Sequence, residues 1–183
     1  TGSEMDGTAV ISDMETNQKL AFDAHVCLPA VSILDPSYTC SLPASQTAAG
    51  TADIMSHTFE NYFSRIEDSF LADSLAEAIL KACLHYGPKA IAQPDDYEAR
   101  ANLMWCAPWA INGFLEMGKP VAWSVHAIEH ELSAFYDITH GVGLAVIEPV
   151  AVEYTWSANP DKFATLARIF NHGDGSELGE ALR

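Results

Sequence analysis

The sequence predicts a mainly α protein: a metal-binding helical bundle of about six helices preceded by a short β segment. Two patterns lead to that class. Apolar residues before residue 35 cluster in β-type runs, and from Leu42 onward they recur at helical period. In addition, four side chains of metal-ligand type are spread over the helical part, and helical bundles hold metals between facing helices.

Residues 7–34 read as strands. TAVIS and KLAF are β-type runs, and the polar DMETNQ between them suits a hairpin connection. AVSIL reads as a third strand, stopped at Asp35-Pro36 because proline cannot donate to a ladder. The first helix is expected in SLPASQTAAGTADIMSHTFENYF, with a serine as candidate cap and a proline near the first turn. The second, SFLADSLAEAILKACLHYG, carries an apolar face of Phe70, Leu71, Leu75, Ile79, Leu80 and Cys83, and Gly87-Pro88 is expected to end it. YEARANLMWCAPWAINGFLEMG gives the third, with a kink expected at Pro108. SVHAIEHELSAFY, HGVGLAVIEPVAVEYTW and PDKFATLARIF give the fourth, fifth and sixth. No repeat recurs at a fixed period.

A chain of 183 residues suffices for one domain with a real core, or for two small lobes. Its net charge of −16, with only nine Lys and Arg, argues against a nucleic-acid partner, because few phosphates can be neutralised. No apolar run is long enough to span a membrane and no signal peptide is evident, which predicts a cytoplasmic protein with no membrane partner. Cys27, Cys40, Cys83 and Cys106 lack CxxC spacing and sit among apolar neighbours, so they read as free thiols in a reducing compartment.

Asp53 and His57 lie four apart and share a helix face; His126 and His140 flank a helical stretch. Asp53 and His57 alone, like His126 and His130 at the same spacing, read more readily as helix-surface pairs. Together Asp53, His57, His126 and His140 offer three imidazoles and one carboxylate, a set suited to iron(II), zinc, cobalt or nickel and typical of catalytic rather than structural sites. His140 opens a helix beside Gly141 and Gly143, which allow close backbone approach or simply form the helix entry. His130, one turn from His126, reads either as a proton relay behind the metal or as a core histidine. His25, His85 and His172 have no evident partners. Trp123, Trp105 and Phe135 are candidates for a substrate wall, or for core. His126-Ala127-Ile128-Glu129-His130 also fits HxxEH, a zinc hydrolase pattern with both histidines on the metal and the glutamate as base. A non-catalytic acidic helical module is the third reading.

The segments TGSEMDGTAVIS, SILDPSYTCSLPASQTAAGTADIMSH, ENYFSRIEDSFLAD, DYEARANLMW and HAIEHELSAFYDITHGVGLA together resemble the iron-containing (group III) alcohol dehydrogenases. The similarity is greatest to the butanol dehydrogenase and NADPH-dependent aldehyde reductase branch and runs from Thr1 to about Phe170. The resemblance implies a dehydroquinate synthase-like C-terminal helical lobe over residues 42–183 and, over 1–41, part of the nucleotide-binding lobe. It implies iron(II) or zinc on Asp53, His57, His126 and His140. It implies NAD(P)H beside Thr1, Lys19 and Tyr38, and His130 serving the alcohol site as the catalytic proton relay. The implied reaction is hydride transfer between the nicotinamide and a small primary alcohol or aldehyde, in a homodimer or larger assembly. The family's glycine-rich pyrophosphate loop has no counterpart here and the chain opens on TGSE without methionine, so the resemblance implies a piece of a longer enzyme, weakly active alone.

Overall fold

The computed structural model describes residues 1–66, 68–171 and 173–183, so His172 lies outside the described residues. The polar DMETNQ segment does turn the chain back on itself. Strands β1 (Thr8–Asp13) and β2 (Gln18–Asp23) pair antiparallel, from Thr8 opposite Asp23 to Asp13 opposite Gln18. Asp13 Oδ1 accepts from the backbone N–H of Glu15 at 2.9 Å, and Asn17 takes the left-handed conformation that closes such turns (φ 52°).

AVSIL is not a strand. Among the described residues β1 and β2 form the only sheet, and a β-type run with no neighbouring edge has no ladder to join. Val31 and Ile33 are accordingly exposed. Asp35-Pro36 instead opens a 3-10 turn, Pro36–Thr39, capped by Asp35 accepting from the Ser37 N–H at 3.0 Å.

Helix α1 (Ala44–Tyr62) is the axis of the bundle and packs against α2 (Phe70–Ala92), α3 (Tyr97–Ile111), α4 (Ser124–Tyr136) and α5 (His140–Thr155). It starts after Pro43 with no side-chain cap, contrary to the expected serine; the Pro43 carbonyl takes the N–H groups of Gln46 and Thr47. Neighbours on several sides bury its polar residues too, among them Asp53, Ser56, His57, Thr58 and Asn61. Two of these return their polar atoms to the helix's own carbonyls: Thr58 Oγ1 to Ile54 and Asn61 Nδ2 to His57.

Gly87-Pro88 does not end α2, which runs on to Ala92. A Cβ at position 87 would stand 2.9 Å from Thr51 Cγ2, so this glycine serves the α1–α2 contact and not a cap. The buried face of α2 is Ala72, Ala76, Ile79, Leu80 and Cys83, while Phe70 and Leu71 in its first turn point to solvent. Helix α3 is shorter than expected: it passes through the buried Pro108, stops at Ile111 and leaves through Gly113 (φ +86°).

Helices α4 and α5 start at Ser124 and His140, as the sequence pattern predicts, and α6 (Pro160–Ile169) and a one-turn α7 (Leu178–Ala181) close the bundle. The core runs through Ile54, Phe59, Leu80, Leu103, Val152 and Leu166, with Phe63 stacked on Phe163. Asp73 ties three segments together, holding Lys119 at 2.6 Å and Lys162 at 2.9 Å. The four cysteines are free thiols, and no helix of the described residues is long and apolar enough to cross a membrane.

The α1–α5 contact depends on one missing methyl. A Cβ at Gly141 would lie 2.0 Å from the Ala49 carbonyl oxygen, a collision with backbone that no rotamer relieves. Gly50, on the same helix as Ala49, would meet only Thr1 Cγ2 at 3.6 Å. In urea titrations, Gly141→Ala is expected to lower stability by about 3 kcal/mol, whereas Gly50→Ala is neutral or stabilises by up to about 1 kcal/mol.

Candidate metal centre

Three helices deliver the ligand-type side chains to one point. Asp53 and His57 come from consecutive turns of α1, His126 from the first turn of α4, and His140 from the first residue of α5. The Nε2 atoms of His57, His126 and His140 each stand 3.6 Å from the same atom, Asp53 Oδ1. The donor atoms of Asp53, His57 and His126 lie within 4.8 Å of one another, close enough to share one ion, and His140 approaches the same carboxylate oxygen from α5. The rings of His57 and His126 stack 4.6 Å apart, and that of His140 lies 5.3 Å from His126. Asp53 Oδ1 and His126 Nε2 are buried without a hydrogen-bond partner. Buried polar atoms are costly unless paired, so two such atoms facing one point fit a cation there.

The electrostatics agree. Burial raises the Asp53 carboxyl, but His126 and His57 outweigh it and hold the group well below the ordinary carboxylate range. Burial lowers His126, yet Asp53 and Glu60 push it up to about 9. Burial brings His57 down to about 3 against the pull of Asp53. A proton on His126 thus balances the carboxylates when no metal does, and metal binding must displace it.

The supporting groups are carboxylates that the sequence did not single out in this role. Glu60 Oε1 accepts from the backbone N–H of Val125 at 2.6 Å and of His126 at 2.9 Å, capping α4, and lies 3.4 Å from His126 Nδ1. It extends the Asp53–His57 face by one turn, which was the available signal. Glu129 is fully buried; its Oε2 contacts His140 Nδ1 and lies 3.4 Å from Lys19 Nζ. Glu148 accepts from Ser56 Oγ at 2.7 Å, and burial pushes its carboxyl up to about 7.

Of the remaining candidates, His130 is half-buried with its ring 5.4 Å from His140, and burial together with Lys19 lowers it to about 4. Thr1 Oγ1 donates to Asp53 Oδ2, the oxygen turned away from the histidines. Lys19 on β2 reaches the cluster, while Tyr38 stands exposed on the 3-10 turn. Trp123 meets His57 and His126 edge-on at 5.8 and 5.3 Å; Trp105 and Phe135 are exposed. The HxxEH histidines do not converge. His126 groups with Asp53 and His57, and His130 with Glu129 and His140.

The family model for the C-terminal part of the Fe-containing alcohol dehydrogenases matches residues 47–181. The chain belongs to this family. It is 60% identical over 154 residues to NADH-dependent butanol dehydrogenase A of Clostridium acetobutylicum, covering 84% of this chain and 40% of that one. Against the NADPH-dependent aldehyde reductase YqhD of Escherichia coli it is 38% identical over 178 residues, 97% of this chain and 46% of the other. The crystal structure of NADH-dependent butanol dehydrogenase A from Thermotoga maritima superposes with a TM-score of 0.92 at 40% identity, over all of this chain and 46% of that one. The chain therefore spans less than half the length of these relatives.

Glu148 makes stability fall with rising pH. Its folded form holds a proton more tightly than the unfolded chain, whose glutamate titrates near 4.5, so stabilisation present below that value is lost as pH rises towards 7. With a chelator present, wild type is expected to lose up to about 3 kcal/mol more than Glu148→Gln between pH 4.5 and 8, read from urea midpoints.

Proposed function

We propose that this chain supplies the metal-binding half of an NAD(P)-linked alcohol dehydrogenase or aldehyde reductase acting on small primary alcohols or aldehydes. The observation that carries the reading is the convergence of three imidazole Nε2 atoms on Asp53 Oδ1, each at 3.6 Å. Asp53, His57, His126 and His140 would hold iron(II) or zinc. The bound ion supplies Lewis-acid polarisation of the substrate oxygen, and a nicotinamide cofactor supplies the hydride chemistry.

The chain's own groups then have distinct tasks. Thr1 fixes the outer oxygen of Asp53, leaving the inner one to the metal. Thr1 also lines a cleft of about 170 Å³ with Thr39, Gln46, Thr51 and Arg100, and Thr1, Lys19 and Tyr38 are the residues that would meet the cofactor. Trp123 packs against two ligand rings and keeps water from them. His130 is half-buried with its ring 5.4 Å from His140, which places it to relay the hydroxyl proton outward. Residues 42–183 form the metal domain in this reading, and residues 1–41 belong with the nucleotide lobe. Four free thiols support a cytoplasmic setting, and the family resemblance supports a homodimer or larger assembly.

Activity is read as NADH or NADPH oxidation with butanal in the longer enzyme that this half would serve, alongside the visible spectrum of the chain's cobalt form during alcohol titration. His57→Ala is expected to remove the alcohol-dependent spectral change and to lower kcat/KM by about 10³-fold. Peptide hydrolysis that depends on Glu129, with no spectral response to alcohols, would replace this reading with the hydrolase one.

A further inference from the structure

His140 is the most exposed member of the ligand cluster, its side chain 30% accessible against 6–10% for the other three. It also begins its helix, following Thr139, and so has little helix around it. Packing alone does not fix its ring. An imidazole presents one lone pair, and the partner of the other nitrogen decides which.

That partner is Glu129, whose carboxylate contacts His140 Nδ1 from a fully buried position. The space it occupies exists because position 143 is glycine: a Cβ there would stand 2.7 Å from Glu129 Oε1 and 2.8 Å from its Cγ. Its charge is met by Lys19 on the β-hairpin, whose Nζ lies 3.4 Å from Glu129 Oε2, 2.8 Å from Ser133 Oγ and 3.3 Å from His140 Nδ1. The Glu129, His130 and His140 donors also lie close enough together to suggest a second metal site. The Lys19 ammonium already puts a positive charge there.

Resting on the reading of His140 as a metal ligand, we propose that Glu129 is a positioning residue for it. Glu129 takes the Nδ1–H, which leaves the Nε2 lone pair directed at the metal point beside Asp53 Oδ1, and Lys19 contacts the carboxylate from behind. Gly143 is part of the device, and the β-hairpin is fastened to the metal domain through it.

The test is cobalt(II) titration of the full chain, read by its visible absorption, with far-UV circular dichroism to confirm folding. Wild type takes one equivalent. Glu129→Ala is expected to weaken binding 10–100-fold and shift the spectrum, and Gly143→Ala to do likewise by displacing the carboxylate. Glu129→Gln keeps the volume and an acceptor, should lose only about fivefold, and carries the test if the alanine variant does not fold. In a His140→Ala background none of these changes costs anything further. Glu129 variants within twofold of wild type, equal losses with His140 already removed, or a second equivalent in wild type would each overturn the proposal. No cobalt in wild type would sink the ligand reading itself, a separate and visible failure.

Discussion

Asp53 carries an ionised carboxylate in a place water scarcely reaches, and the rest of the helical domain is arranged around that difficulty. A lone buried charge is expensive, and it persists only where other charges or donors converge on it. Here the convergence is shared among three helices, so the site and the bundle cannot be separated: moving α4 or α5 withdraws a histidine from Asp53 Oδ1. The outer oxygen is held by Thr1, which keeps the inner one directed at the cluster.

Close helix approach sets the positions of the histidines. Gly141 brings the start of α5 against the Ala49 backbone, one turn before Asp53 on α1, and so delivers His140 to that carboxylate. Glu60 does the corresponding work for α4, capping the helix whose first turn carries His126. Three acids stand around the histidine cluster: Glu60 faces His126, Glu129 faces His140, and Glu148, held by Ser56, is pushed up by burial. An acidic site of this kind favours a cation over an anion, in keeping with a family named for its iron.

Where local chemistry decided the outcome, the sequence was readable. The hairpin turn, the starts of α4 and α5 and the shared face of Asp53 and His57 follow from turn residues and helical spacing alone. Where a neighbour decided it, the sequence misled. AVSIL has strand character but no edge to pair with, Pro88 is carried through α2 because that helix is held along its length by α1 and α3, and Phe70 and Leu71 continue an apolar period past the end of the core. Glu129 was visible only as a possible base in HxxEH. Its contact with His140, eleven residues on, depends on space left by Gly143 on another helix, which periodicity does not report.

Metal content measured on anaerobically purified chain tests most directly the proposed single ion on Asp53, His57, His126 and His140. Wild type should carry close to one equivalent of iron or zinc, lost in His140→Ala and kept in His130→Ala. Metal retained without His140, or lost on removing His130, would contradict it.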